Sequence, residues 1–183
     1  MKKIFALFLV LAMSPATGLF AEGTHPEKEF FKGSGFDLVK VNDVMVGLYN
    51  LMPIWADKAC GDHIKGLYKA GKDIGEFSVV VKDKKPMGTF GENTVSFVRI
   101  DKEKKAIVLQ SSAGEVYVYY SYAGTNGEHM MNIDFRFDGL NGRQHHVMLE
   151  GECCLGSVIF YSIFLYGVTG LSPANPVPGL FVW

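Results

Sequence analysis

From Ile74 to Gly151 the chain is a succession of short alternating segments separated by turn residues, and that rhythm limits the fold more than any other feature. IGEFSVVVKD (74–83), TVSFVRID (94–101), KAIVLQSS (105–112), EVYVYYSYA (115–123), HMMNIDFRFD (129–138) and RQHHVMLEG (143–151) read as strands, rich in Val, Ile, Phe and Tyr. Ile133, Phe135 and Phe137 alternate with Asn132, Asp134 and Arg136, a period of two. The links DKEKK, SSAG, AGTNGE and DGLNG are turn chemistry. They are too short for a crossover helix, so consecutive strands pair antiparallel. A sheet of six or more such strands curls closed and loses its edges. The expected fold is mainly β, an antiparallel up-and-down barrel, and a barrel of about eight strands can hold one small ligand.

Upstream the period changes. Ser34 and Asp37 fit a capping box, and Leu38, Val41, Met45, Leu48 and Met52 follow at three- and four-residue steps. This spacing predicts a short N-terminal helix, stopped by Pro53, whose apolar stripe packs on the sheet. Residues 1–21 have the build of a secretory signal peptide: MKK, an apolar run, then small residues, with cleavage expected after Ala21. A retained membrane anchor is the lesser reading, because the apolar run is short for a span. Residues 22–154 form the expected barrel domain, opened by a loose polar arm. Residues 155–183 carry no charge and no histidine, and read as an apolar, Pro-rich tail: a buried strand, a membrane tail or a divergent end.

Export implies an oxidising compartment. Of three cysteines, Cys153 and Cys154 are neighbours and pair poorly with each other, so Cys60 is expected to bridge to one of them. A metal site is the weaker alternative, since His145 and His146 lie near the cysteine pair without a recognised zinc spacing. In a strand those two histidines also point to opposite faces. A net charge of -1 gives no electrostatic case for nucleic acid or an anionic membrane. No nucleophile elbow, zinc-protease motif or phosphate loop occurs, so neither an enzyme nor a cofactor is expected.

One stretch remains, PIWADKAC (53–60), with Trp55 followed five residues later by Cys60. The order of signal peptide, helix (Leu38 to Leu51), this Trp–Cys stretch and then the TVSF and EVYVYYSYA strands resembles the tick salivary lipocalins, the histamine-binding-protein-like family, over roughly residues 36 to 152. The chain departs from that family in having fewer cysteines and an uncharged tail where the family has its last strand and C-terminal helix. The resemblance implies a lipocalin-like barrel that sequesters a host mediator, a biogenic amine such as histamine or a lipid mediator, to blunt host defence. Trp55 would plug the closed end of the barrel.

The ligand-site candidates read from the residues are Trp55, Tyr117, Tyr119, Asp134 and Glu150: aromatic faces to hold an amine and carboxylates to pair with it. Alternation pulls the other way for Asp134, because an inward Asp134 would turn Ile133 and Phe135 out to solvent. Outward carboxylates would leave an apolar cavity suited to a fatty acid or eicosanoid. The expected partner is a small molecule, with membrane contact open only through the tail. The alternative reading is a bacterial envelope or surface structural protein.

Overall fold

A computed structural model describes residues 28–60 and 63–171; the side chains of residues 58–60 lie outside that description. The expected signal peptide, the polar arm up to residue 27 and the end of the tail from residue 172 also lie outside the described residues. The strands are β1 (Lys28–Gly33), β2 (Phe36–Val41), β3 (Val44–Tyr49), β4 (Met52–Cys60), β5 (His63–Ala70) and β6 (Asp73–Lys82). They continue as β7 (Lys85–Phe90), β8 (Asn93–Asp101), β9 (Ala106–Ser111), β10 (Gly114–Asn126), β11 (His129–Asp138) and β12 (Gln144–Cys153). One helix, α1 (Leu155–Val168), and a 3-10 turn at Thr169–Leu171 follow. Each strand pairs antiparallel with the next, and β12 returns to β1 (Phe31 opposite Leu149), so twelve strands close into one barrel.

The tightest links are two residues long and of the type that matches strand twist. Asn50–Leu51 and Asp83–Lys84 have positive φ at both positions, 47° and 65°, then 51° and 65°. The expected helix over residues 38–52 is not formed; those residues are β2, β3 and the start of β4. Asn42–Asp43 and Asn50–Leu51 are hairpin turns, and Ser34 is a turn residue (φ 45°) whose hydroxyl accepts from the His146 backbone N–H at 2.7 Å, not a helix cap.

The helix belongs to the other end of the sequence. Leu155–Val168, expected as part of a tail, is α1, and its residues from Phe160 onward are buried on every side. Tyr161 meets Phe31 of β1 edge-on (4.9 Å between ring centroids), Phe164 lies 5.6 Å from Phe77 of β6, and Tyr166 meets Phe137 of β11 at 6.3 Å. Contacts on such separated strands place α1 inside the barrel. Size explains why: eight strands fill their interior with their own side chains, whereas twelve enclose a wider lumen. An α-helix with side chains is about 10–12 Å across, and eleven-stranded cans with a central helix use the same solution. Each large apolar side chain that α1 buries contributes roughly 1.5–3 kcal/mol. At the tightest approach Phe90 of β7 rests on the helix backbone: a Cβ on Gly167 would stand 2.1 Å from its ring.

Candidate binding face on the outside of the barrel

Inward positions of β1 to β5 are Phe31, Leu38, Met45, Ile54 and Ile64, all at most 2% exposed. Their neighbours therefore face outward, and here the outward set is apolar too. Pairing registers join Phe30, Val39, Val46, Trp55 and Leu67 into one row across five strands. The row ends in a carboxylate on each side, Glu150 opposite Phe30 and Glu76 opposite Leu67. Directly paired side chains on one face touch, so this is a continuous stripe. Val44 (41% exposed) and Leu48 (38%) widen it.

Where the stripe reaches β5 it opens into a groove of about 540 Å³, lined by Trp55, Asp57, Lys65, Leu67, Glu76, Ser78 and Thr89. A volume of that order suits a small ligand. Asp57, Lys65, Ser78 and Thr89 form the next row of the ladder, so a polar edge runs beside the Trp55–Leu67 floor. Gly66 also lines the groove, and the Phe77 ring backs it from inside the barrel: a Cβ there would lie 2.7 Å from that ring. The groove offers an aromatic face, two carboxylates, one ammonium and two hydroxyls. Such a set binds by cation–π contact, ion pairing and hydrogen bonding.

The expected ligand residues do not converge. Trp55 is the only one of the five in this groove, and it points outward instead of plugging an end. Glu150 is outward at the far end of the stripe, 4.0 Å from Lys32. Asp134 is outward as well, between Arg136 (2.9 Å) and His146, while Ile133 and Phe135 point in and are fully buried. Tyr117 and Tyr119 stack on the outside of β10 with centroids 6.2 Å apart. There Arg99 holds Glu115 through two bonds (2.9 and 3.3 Å) and reaches the Tyr117 hydroxyl, and Lys104 sits over the Tyr117 ring. This cluster covers Val108, which is outward yet 0% exposed. In it Arg99 and Glu115 pair with each other. The residues that sequence reasoning missed are Asp57, Lys65, Leu67, Glu76 and the stripe Phe30–Val39–Val46; the available signal was a run apolar at odd and even positions alike.

His145 and His146 take opposite faces. His145 is inside, 5% exposed, stacked on Phe137, its Nε2–H donating to Asn141 Oδ1 at 3.1 Å; burial pulls its pKa down from the usual histidine value. Cys153 and Cys154 are both free, so the bridge expected from Cys60 is absent from the described residues, and the Cys60 side chain lies outside them. Burial, and then the Glu29 charge, push the Cys153 thiol up to about 12. The exposed Cys154 thiol is lowered instead, chiefly by the Ser157 hydroxyl at 3.5 Å. Among the described residues no group of three or more His, Cys, Asp or Glu side chains is placed to hold a metal ion, and no helix there is long and apolar enough to cross a membrane. Comparison with known proteins gives no match: no family model, no curated relative and no solved structure matches this chain.

Proposed function

We propose that this chain is a secreted binding protein, not an enzyme, that captures a small organic cation in the outer groove between β4 and β7. The observation that carries the reading is that Trp55, Leu67, Asp57 and Glu76 line one groove of about 540 Å³. An aromatic face next to two carboxylates suits an amine with an apolar body better than a neutral lipid. With α1 in the lumen, this reading puts the ligand on the barrel wall. Sequestration of a host biogenic amine rests on the sequence resemblance together with this groove. Calorimetry with histamine, serotonin and an eicosanoid on the folded protein tests it. A cation binds and Trp55→Ala weakens it about tenfold, the loss of a contact worth ~1.4 kcal/mol. If the cations bind with wild-type affinity to Trp55→Ala, or not at all to the wild type, the proposal fails.

A second reading, a surface or envelope structural protein, is favoured by the stripe itself. Contiguous apolar surface of this kind marks contact with another molecule. Silence with all ligands, combined with concentration-dependent self-association, would put that reading first.

A further inference from the structure

Burial is non-directional, and α1 is apolar on every side, so the hydrophobic effect discriminates poorly between one rotation of this helix in the lumen and another. The directional contacts are few and come from hydroxyls. Tyr161 donates to Glu29 Oε2 on β1 at 2.5 Å, and Glu29 also accepts from Lys40 Nζ on β2 at 3.0 Å. Tyr166 and Ser111 on β9 share a hydrogen bond of 3.0 Å. Thr169, just past the helix, accepts from the Leu140 backbone N–H at 2.9 Å and donates to the Tyr166 carbonyl at 2.6 Å. The first two anchors lie five residues apart, about 7.5 Å along the axis and roughly 140° around it. They reach strands four apart in the ring of twelve, about a third of the way round the wall. Turning α1 by one residue, about 100°, breaks both together and takes a donor from a carboxylate that is only 6% exposed.

We infer that Tyr161, Tyr166 and Thr169 are positioning residues: their hydroxyls, received by Glu29, Ser111 and the Leu140 backbone, select a single depth and rotation of α1 inside the barrel. The apolar surface supplies the energy of insertion and the hydroxyls supply its uniqueness. The packing of Phe90 on Gly167 fixes how closely α1 approaches β7, while the anchors fix the strands that its other sides face. Buried polar groups that set register in packed helices act in the same way.

The test is the full-length Tyr161→Phe/Tyr166→Phe double variant, which keeps both rings and removes only the two hydroxyls. Methyl NMR of Val158, Ile163 and Leu165 reads how many seats α1 occupies. The expected result is an unchanged β circular dichroism spectrum with these methyls split into two or more sets or broadened, and faster amide exchange along α1. A single set at wild-type positions, with only a lower melting temperature, overturns the inference, because it would make the hydroxyls merely stabilising. If the double variant does not fold, the single variants Tyr161→Phe and Ser111→Ala are read by the same criterion. Splitting in either supports the inference, and one sharp set in both overturns it.

Discussion

The two walls of this barrel are built by the same ladder and patterned differently. In the wall made by β8 to β12 the inside is mostly apolar, with Ile107, Leu109, Ile133, Phe135 and Val147 fully buried beside the polar Ser111 and His145, and the outside carries Arg99, Glu115, Asp134 and Arg136 in pairs among exposed Tyr119 and Tyr122. In the wall made by β1 to β5 an ion pair, Glu29 with Lys40, sits inside at 6% and 8% exposure, while the outside bears the Phe30–Leu67 stripe. A local violation of binary patterning is expected where a protein acts. On the proposed function the first wall is scaffold and the second is the binding face.

The sharpest way to break this contrast is at the inward ion pair. Lys40→Met leaves the Glu29 carboxylate buried with Tyr161 as its remaining partner, and the expected cost is about 3–5 kcal/mol. Adding Glu29→Met recovers only part of it, since both charges are then gone but the buried Tyr161 hydroxyl loses its acceptor. Urea unfolding of the single and double variants measures both. If the single change costs nothing, the inside of that wall is not the closed environment described above.

The outer stripe is expected to behave in the reverse manner. Val46→Ser and Leu67→Ser should shift stability by no more than about 0.5 kcal/mol each, as surface substitutions do. They should nonetheless reduce retention on a hydrophobic resin and, for Leu67→Ser, cation binding. On the opposite wall Arg99→Ala uncovers Val108, so retention should rise. A rise on both walls would erase the distinction between them.

Acid provides a milder probe. Burial lowers the pKa of His145, so the folded chain favours the neutral imidazole. The unfolded chain takes up that proton near pH ~6.5. The contribution is thus complete above that value and falls as the pH drops from there towards the folded-state pKa. The urea midpoint should decline between pH 7.5 and 5, and His145→Gln should flatten that part of the decline. The smallest effect is at the helix entrance. A thiol reagent at neutral pH should label Cys154 in the native protein, with Cys153 reacting only after unfolding; peptide mapping separates the two.

These walls also explain what could be read from the residues alone. The six segments between residues 74 and 151 correspond to β6 and β8 through β12, because charged or polar groups on the outside leave a visible period of two. In β2 and β3 both faces carry apolar side chains: Leu38 and Met45 point in, Val39 and Val46 point out. Two superposed apolar sets erase alternation, and the leftover spacing of 38, 41, 45, 48 and 52 mimics a helix. The feature that hid the strands is the candidate site itself. In β7, Pro86 and Gly88 interrupt the β signal. Residues 155–168 were opaque for another reason. A helix surrounded by barrel wall has no polar face, so it shows no period of 3.6, and it begins at Cys154 without a side-chain cap.

Because α1 follows β12 in the chain, synthesis delivers the core after its container. β5 ends at Ala70 and α1 at Val168, and at about 5–20 residues per second the ribosome needs roughly 5–20 s to cover the interval. For most of it, until β12 is made, β1 is an open edge, on a hairpin stack that carries apolar side chains on both sides. Pairing across so much sequence is slow, and an unpaired apolar edge invites other chains. The nascent protein therefore passes through an aggregation-prone interval. A chain stopped short of β12 would remain in it.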